Sequence, residues 1–336
     1  MGIDCLVSIC IPTYNRPEYL RRAVESCLGQ TYSNFEIVIT DNSTDDRTAK
    51  MAGRWTDPRI GYYKNEGNIG AVGSSNRAVS LAQGKYIKFL MDDDLLKPRC
   101  LELMVKAMEA NPSTGIAMAP MELIDENDRR IFPKFYLFRK MHYRYRYQVG
   151  DGFVDRRRAI KDFLTRDYPC VVPSGIMYRT QALREAGEVD TAADFGGDLD
   201  WCMRLGAKWD FYYIDEVLSS WRLMTNCHTA NLHTQGLKVE VFYYITRKAL
   251  DTPPVQEMFR DNWKKIKRDS MHFCSCRALL NGMAAIRARD PKLLFRTMKT
   301  VMREDPNPIN WLRIPIFVAE QIWISIFPAK WPPPRE

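Results

Sequence analysis

Paired cysteine spacing and a membrane-length apolar run are both missing from this chain. Its nine cysteines are an odd number scattered through 336 residues without pair spacing. That excludes a disulfide-framed secreted domain, and Cys10, Cys27 and Cys202, in apolar stretches, read as buried thiols in a reducing cytoplasm. Cys274-Ser275-Cys276 near His272 has no second cluster to complete a metal site. Met1-Gly2-Ile3-Asp4 lacks a basic region and an apolar core, so no signal peptide is expected. Gly2 followed by Asp4-Cys5-Leu6 is a poor myristoylation match. Neither an internal repeat nor a low-complexity segment interrupts the chain. A net charge of +8 raises nucleic acid as a partner, but no nucleic-acid module accompanies it.

What the chain does have is Asp92-Asp93-Asp94 after the apolar run Tyr86-Ile87-Lys88-Phe89-Leu90-Met91. A buried strand ending in three carboxylates puts dense negative charge at a sheet's carboxyl edge, where α/β folds bind ligands. Bare carboxylates there repel one another, and a hard divalent cation relieves the repulsion. Magnesium or manganese held in this way usually carries a substrate phosphate too.

The triplet closes a series. Leu6-Val7-Ser8-Ile9-Cys10-Ile11 reads as a first strand running into Pro12-Thr13-Tyr14-Asn15-Arg16-Pro17. Asn15 with Glu18 reads as a capping box, and Leu20, Ala23, Val24, Cys27 and Leu28 repeat at helical spacing. A second strand, 35–40, ends at Asp41-Asn42-Ser43, and a short segment, 59–63, precedes Asn68-Ile69-Gly70. A helix from Ala71 to Ala82 with a Gly84 stop then leads into the triplet strand. Strand and helix alternate as in parallel, nucleotide-binding sheets.

Ile11-Pro12-Thr13-Tyr14-Asn15-Arg16, Asp41-Asn42-Ser43, Asn68-Ile69-Gly70 and Asp92-Asp93-Asp94, in that order and spacing, resemble the family 2 glycosyltransferases of GT-A fold. The resemblance runs to about Arg222. It implies a nucleotide-diphosphate-sugar donor, a divalent metal (Mn2+ or Mg2+) and transfer with inversion. It also implies that Pro12, Thr13 and Asn15 line the base and ribose pocket. Asp41 would then accept a hydrogen bond from a uracil or thymine imide, or else cap its own turn. Asn68 would lie near the nucleotide, or serve only the turn before Gly70. Asp92 and Asp93 would hold the ribose hydroxyls, and Asp94 would ligate the metal.

Where relatives carry an Arg before the Asn of the following helix, this chain has Ser75 ahead of Asn76. Asn76 stays on the donor side, and charge for the diphosphate is left to Lys64, Arg77 or Arg222. Ser220-Trp221-Arg222 matches a segment that in relatives leads to a metal-binding His two residues later. Here that position is Met224, so either His228 reaches the metal through a re-routed loop or the third ligand is missing.

Inverting transfer needs a base on the acceptor side. Phe195-Gly196-Gly197-Asp198-Leu199-Asp200-Trp201 resembles the family's acidic segment, with Gly197 at a position usually acidic. Asp198 is the base by that alignment, opening a helix, and Asp200 is the structural alternative. Pro173-Ser174-Gly175-Ile176-Met177-Tyr178-Arg179 looks like the acceptor-side strand.

Two stretches lie beyond those motifs. Tyr143, Tyr145 and Tyr147 alternate with Arg144 and Arg146, a strand pattern with aromatic and cationic faces. Asp290-Pro291 opens a helix in which Arg289, Lys292, Arg296, Lys299 and Arg303 share one stripe. The segment 311–327, with Trp at both ends and Arg313, Glu320 and Gln321 on a polar strip, is short of the ~20 residues of a span. It reads as an interfacial helix beside a basic stripe suited to anionic lipid, or as a cap on the catalytic domain or a partner subunit.

The chain is thus expected to be an α/β enzyme of GT-A fold, a mixed, mostly parallel sheet flanked by helices, with a C-terminal helical appendage. Its expected divisions are a catalytic domain at 1–225 (donor half about 1–120, acceptor half about 121–225) and a helical region at 226–336. Its expected acceptor is a saccharide, including one linked to polyprenyl diphosphate in surface-polysaccharide synthesis, at the inner face of the cell membrane. A non-catalytic nucleotide-sugar binder would not need Asp94 and Asp198. A sugar-phosphate nucleotidyltransferase would want a Gly-rich basic loop after the first strand, and Pro12-Thr13-Tyr14-Asn15 is not one.

Overall fold

The computed structural model describes residues 5–131, 151–165, 172–224, 239–287 and 290–306. The alternating Tyr/Arg strand, His228, Arg289 and the segment 311–327 lie outside the described residues.

The first half alternates as expected: β1 (Val7–Thr13), α1 (Pro17–Leu28), β2 (Phe35–Asp41), α2 (Arg47–Ala52), β3 (Ile60–Lys64), α3 (Gly70–Leu81) and β4 (Tyr86–Phe89). Then come β5 (Leu95–Leu96), α4 (Cys100–Ala110), β6 (Thr114–Met118), β7 (Met121–Ile124), β8 (Gly152–Val154) and α5 (Arg156–Thr165). The acceptor side follows with a 3-10 turn (Pro173–Gly175), β9 (Ile176–Arg179), α6 (Thr180–Ala186) and a second 3-10 segment (Thr191–Gly196). It continues through α7 (Gly197–Gly206), β10 (Asp210–Tyr213) and β11 (Ser219–Arg222). The remainder is helical: α8 (Val239–Leu250), α9 (Pro253–Met258), α10 (Trp263–Arg287) and α11 (Pro291–Glu304).

Eight strands form one mixed sheet in the order β3-β2-β1-β4-β9-β6-β10-β8. The strands β3, β2, β1 and β4 run parallel, and β9 is inserted antiparallel between β4 and β6. A small sheet, β5-β11-β7, stands beside them. Both faces of the large sheet are covered, which is why its central strands are apolar at successive positions instead of alternating. On one face Val7, Ile9, Ile11, Ile37 and Ile39 pack against Leu20, Ala23, Val24 and Cys27 of α1 and Leu101 and Met104 of α4. On the other, Cys10, Val38, Ile87 and Phe89 meet Ala78 of α3 and the acceptor-side helices. A fully buried side chain of Leu size is worth about 1.5–3 kcal/mol, and Leu20→Ala should cost about 2–5 kcal/mol once the cavity it leaves is included.

That second core continues into the helical region. Val241, Ile245 and Leu250 of α8 and Ile266 and Phe273 of α10 belong to the same buried cluster as Leu199, Trp201 and Met203 of α7. Among the described residues no helix is long and apolar enough to cross a membrane.

Two local readings are corrected by the structure. Asn15 does not cap α1: the helix follows Arg16, with no side-chain cap. Asn15 instead adopts a left-handed φ of 54°, a conformation that Asn tolerates better than most residues. Its side chain accepts from Thr44 N–H at 3.0 Å and donates to Thr44 Oγ1 at 3.2 Å. Gly84 does not end α3, which stops at Leu81. Its need for glycine is the close approach to β1, where a Cβ would sit 2.6 Å from Ser8 N and 2.8 Å from Leu6 O.

Candidate functional site

The carboxyl ends of β1, β2 and β4 bring the expected donor-side residues to one edge. Thr13 Oγ1 donates to Asp92 Oδ2 at 2.7 Å, and the Tyr14 N–H does so at 3.3 Å. Arg16 places its guanidinium 2.6 Å from Asp93 Oδ2 and 3.5 Å from Asp92 Oδ1. Pro12 lies in register with Thr40, and the Asn15 N–H donates to Ser43 Oγ at 2.8 Å. The loops after β1, β2 and β4 are therefore laced together by side chains.

Asp94 is held differently. Its Oδ1 accepts the Arg222 N–H at 2.9 Å, and Ser174 of the acceptor-side turn donates its hydroxyl to it. Among the described residues no cation pairs with Asp94. Burial, then the charge of Asp93, holds its carboxyl well above the usual carboxylate range. Burial and Asp93 likewise push Asp92 up to about 7, against the opposing pull of Arg16. A buried carboxylate facing only neutral donors suits a divalent cation, which would remove the charge cost of burying it. No three His, Cys, Asp or Glu side chains converge on a metal position among the described residues. A cation there would have one protein carboxylate, and magnesium-type sites commonly combine one or two carboxylates with substrate phosphates.

Asp41 is fully buried. Its carboxylate accepts from Ser43 N–H at 2.7 Å, from the Tyr62 hydroxyl and from Lys64 Nζ at 3.2 Å, three of about four acceptor positions. Burial first, then this contact, pushes the Tyr62 phenol up. Asn68 accepts from Gly70 N–H at 2.9 Å in an exposed turn. Asn76 grips the backbone of Val189 at both ends, donating to its carbonyl at 3.1 Å and accepting its N–H at 3.0 Å. It therefore joins α3 to the acceptor side.

The three cations considered for the diphosphate are all engaged. Lys64 binds Asp41 and the carbonyl of Ser43, and Arg77 donates to the carbonyl of Lys64 at 3.2 Å and to Asn65. The guanidinium of Arg222 is buried, donating to the carbonyls of Asp93 (2.8 Å) and Asp125 and to the Asp128 carboxylate. It fastens β11 to the turn after β7, and its contact with Asp94 is through backbone. Arg16, part of the first motif but given no role there, is the cation that pairs with the triplet's carboxylates among the described residues.

On the acceptor side, Asp198 and Asp200 share the first turn of α7. Asp200 is buried between Arg204, at 2.7 and 2.9 Å, and Lys248, at 3.0 Å. Asp198 is half-buried, and its carboxylate accepts the Leu199 N–H at 2.7 Å. Burial pushes it up to about 7, where a carboxylate can both take and keep a proton near neutral pH.

Residues 8–187 match the profile described as Glycosyl transferase family 2. An uncharacterized glycosyltransferase of Methanocaldococcus jannaschii is 28% identical over 278 residues, 80% of this chain and 82% of that protein. The UDP-Glc:alpha-D-GlcNAc-diphosphoundecaprenol beta-1,3-glucosyltransferase WfgD of Escherichia coli is 34% identical over 140 residues, 42% of this chain and 54% of WfgD. Among solved structures, S. aureus TarS 1-349 in complex with UDP-GlcNAc has a TM-score of 0.57 at 16% identity, covering 88% of this chain and 91% of that one. The mannosyltransferase PcManGT of Pyrobaculum calidifontis, with GDP-Man and Mn2+, has a TM-score of 0.58 at 17% identity, covering 98% of this chain and 89% of that one. The profile spans more than half of the chain, from β1 to the end of α6, and the GT-A sheet beneath it is the one these enzymes share: the chain belongs to glycosyl transferase family 2.

Proposed function

We propose that this glycosyltransferase moves a sugar from a UDP or dTDP donor, with inversion, to a saccharide acceptor that includes lipid-diphosphate-linked chains. The observation that carries the reading is the contrast on α7: Asp200 is clamped by two cations, whereas Asp198, held by the Leu199 N–H, meets no cation among the described residues and is tuned by burial. Asp198 takes the proton of the acceptor hydroxyl as its oxygen attacks the anomeric carbon. The bond from that carbon to the diphosphate oxygen breaks on the opposite face, and its electron pair leaves with the nucleotide. Thr13, Asn15 and Asp41 position the nucleoside, and Asp92 and Asp93 the ribose. Asp94 would hold the divalent ion, which when bound supplies positive charge to the departing diphosphate. WfgD, by its name, uses UDP-Glc and a diphosphoundecaprenol acceptor, which supports this donor and acceptor class.

The outer face of α11 supports action at a membrane surface. Lys292, Phe295, Arg296, Lys299, Met302 and Arg303 are all exposed, with Phe295 at 72% and Met302 at 57%. Positions 295, 299 and 302 follow helical spacing, so apolar and cationic groups share one surface.

The test is a panel of UDP-, dTDP- and GDP-sugars, followed by hydrolysis and thermal stabilisation with and without Mn2+. A uridine or thymidine donor is expected to lead, with the product's anomeric configuration inverted on NMR. A retained configuration overturns the reading.

A further inference from the structure

We infer that Lys248, on a helix beyond the matched residues, is a positioning residue for Asp198. The inference rests on Asp198 being the base. The Asp198 segment has two anchors, Asp190 ahead of it and Asp200 within the first turn of α7. Asp190 caps the 3-10 segment Thr191–Gly196, accepting from Ala192 N–H at 2.9 Å. Lys248 Nζ lies 3.3 Å from Asp190 Oδ2 and 3.0 Å from Asp200 Oδ1. One ammonium group therefore ties both flanks of the segment to α8. Tyr244, one turn earlier on α8, donates its hydroxyl to Asp190 as well.

Packing shows how little room the segment has. A Cβ on Gly196 would meet Ile245 Cδ1 of α8 at 2.5 Å, and one on Gly197 would meet Val189 Cγ1 at 2.8 Å. The chain preceding Asp198 is thus pressed directly onto α8 on one side and onto Val189 on the other. Val189 is itself gripped by Asn76 of α3. With Lys248 removed, Asp200 keeps Arg204 of its own helix, and among the described residues no other cation joins it to α8. Asp198 then loses the ionic tie that holds the first turn of α7 to α8, while the Tyr244 contact and the packing at Gly196 remain upstream of it. Displacements on the order of 1 Å in catalytic geometry can cost about 10²-fold.

The experiment measures hydrolysis of the fastest donor of the panel, with water as acceptor, together with UDP binding by calorimetry. Lys248→Met should lower kcat about tenfold or more while leaving donor KM and UDP affinity within about twofold. Lys248→Arg, which keeps charge and reach, should restore most of the rate. In an Asp198→Asn background, Lys248→Met should change the residual rate less than twofold, because its effect passes through Asp198. Wild-type kcat in Lys248→Met overturns the inference and leaves the base assignment standing. So does an equal loss with and without Asp198, since a merely structural role would show it. Full activity of Asp198→Asn overturns the base assignment itself. Should Lys248→Met fail to fold, Asp190→Asn cuts the more exposed end of the tie and leaves Asp200 paired. It is expected to show the same kcat loss, and unchanged kcat in it counts against the inference.

Discussion

Arg16 crosses from the loop after β1 to Asp93, 2.6 Å away, and stands 3.5 Å from Asp92. One guanidinium, its side chain 27% exposed, thereby offsets the charge of two carboxylates and leaves Asp94 to a different partner. Removing it should leave two like charges facing each other in a largely buried edge. Arg16→Met is expected to lower unfolding stability in urea by about 1–3 kcal/mol, the scale of a charged hydrogen bond discounted for partial exposure. Adding Asp93→Asn should recover most of the loss. If the two losses simply add, charge compensation is not what Arg16 provides.

Asp94→Asn preserves shape and removes the charge that would anchor a cation. Binding of UDP in Mn2+ is expected to weaken to the level seen in EDTA, while binding in EDTA itself changes little. Wild-type turnover undiminished by EDTA would show that the buried carboxylate serves something other than a metal.

Asp198 gives a pH prediction. A base works deprotonated, so kcat should rise with pH through about 7 and then level off, following the burial-raised carboxyl. Asp198→Asn should lower kcat by about 10²–10⁴-fold and leave UDP affinity unchanged. Stability carries the opposite sign from the usual acidic residue. A carboxyl raised from 3.8 to about 7 on folding favours the fold when protonated; that contribution is whole below about 3.8 and is lost as pH rises through 7. The Asn variant, which carries no charge to bury, should therefore melt higher than wild type at pH 8, with the gap closing towards pH 4.

How much of this was legible depended on the distance over which each feature is encoded. Buried parallel strands are continuous apolar runs ending in turn residues, so β1, β2 and β4 and their terminal Asp41 and Asp92 to Asp94 stand out locally. The opening of α7 beside Asp198 was readable from the resemblance of its segment to the family's acidic motif, not from periodicity. β5 has two residues and β8 three, too few for any period to register. The Arg16–Asp93 contact joins positions 77 apart, and the Lys248–Asp190 contact joins positions 58 apart. Nothing in either neighbourhood marks the partner. Asn15 misled because Asn serves a helix cap and a left-handed turn equally well, and only the β2 loop beside it decides between them.

Asp41→Asn tests the base pocket separately from the metal. The carboxylate holds Tyr62, Lys64 and the Ser43 N–H together, so its charge orders the wall on which a nucleobase would rest. UDP affinity should fall by about 1.5–3 kcal/mol, equally with and without Mn2+, unlike Asp94→Asn. Tighter binding of GDP than UDP by the wild-type protein would replace the uracil-type reading with a purine one.

The α11 surface can be tested without touching the core. Phe295 and Met302 are largely exposed, so Phe295→Ser with Met302→Ser should move stability by no more than about 0.5 kcal/mol each. If the face lies on lipid, the double variant should lose cosedimentation with anionic vesicles while hydrolysing donor at the wild-type rate. Changing Lys292, Arg296, Lys299 and Arg303 to Gln should weaken binding only where the vesicles carry anionic lipid. The two contributions separate by salt: charge attraction is screened over about 10 Å at 0.1 M, whereas apolar insertion is not. Removal of residues from Trp311 onward should act in the same direction as the Ser variants and spare hydrolysis, because every donor-side motif lies before Arg222. A wild-type protein that ignores anionic vesicles at low salt would make this face a docking surface for protein and favour a soluble saccharide acceptor.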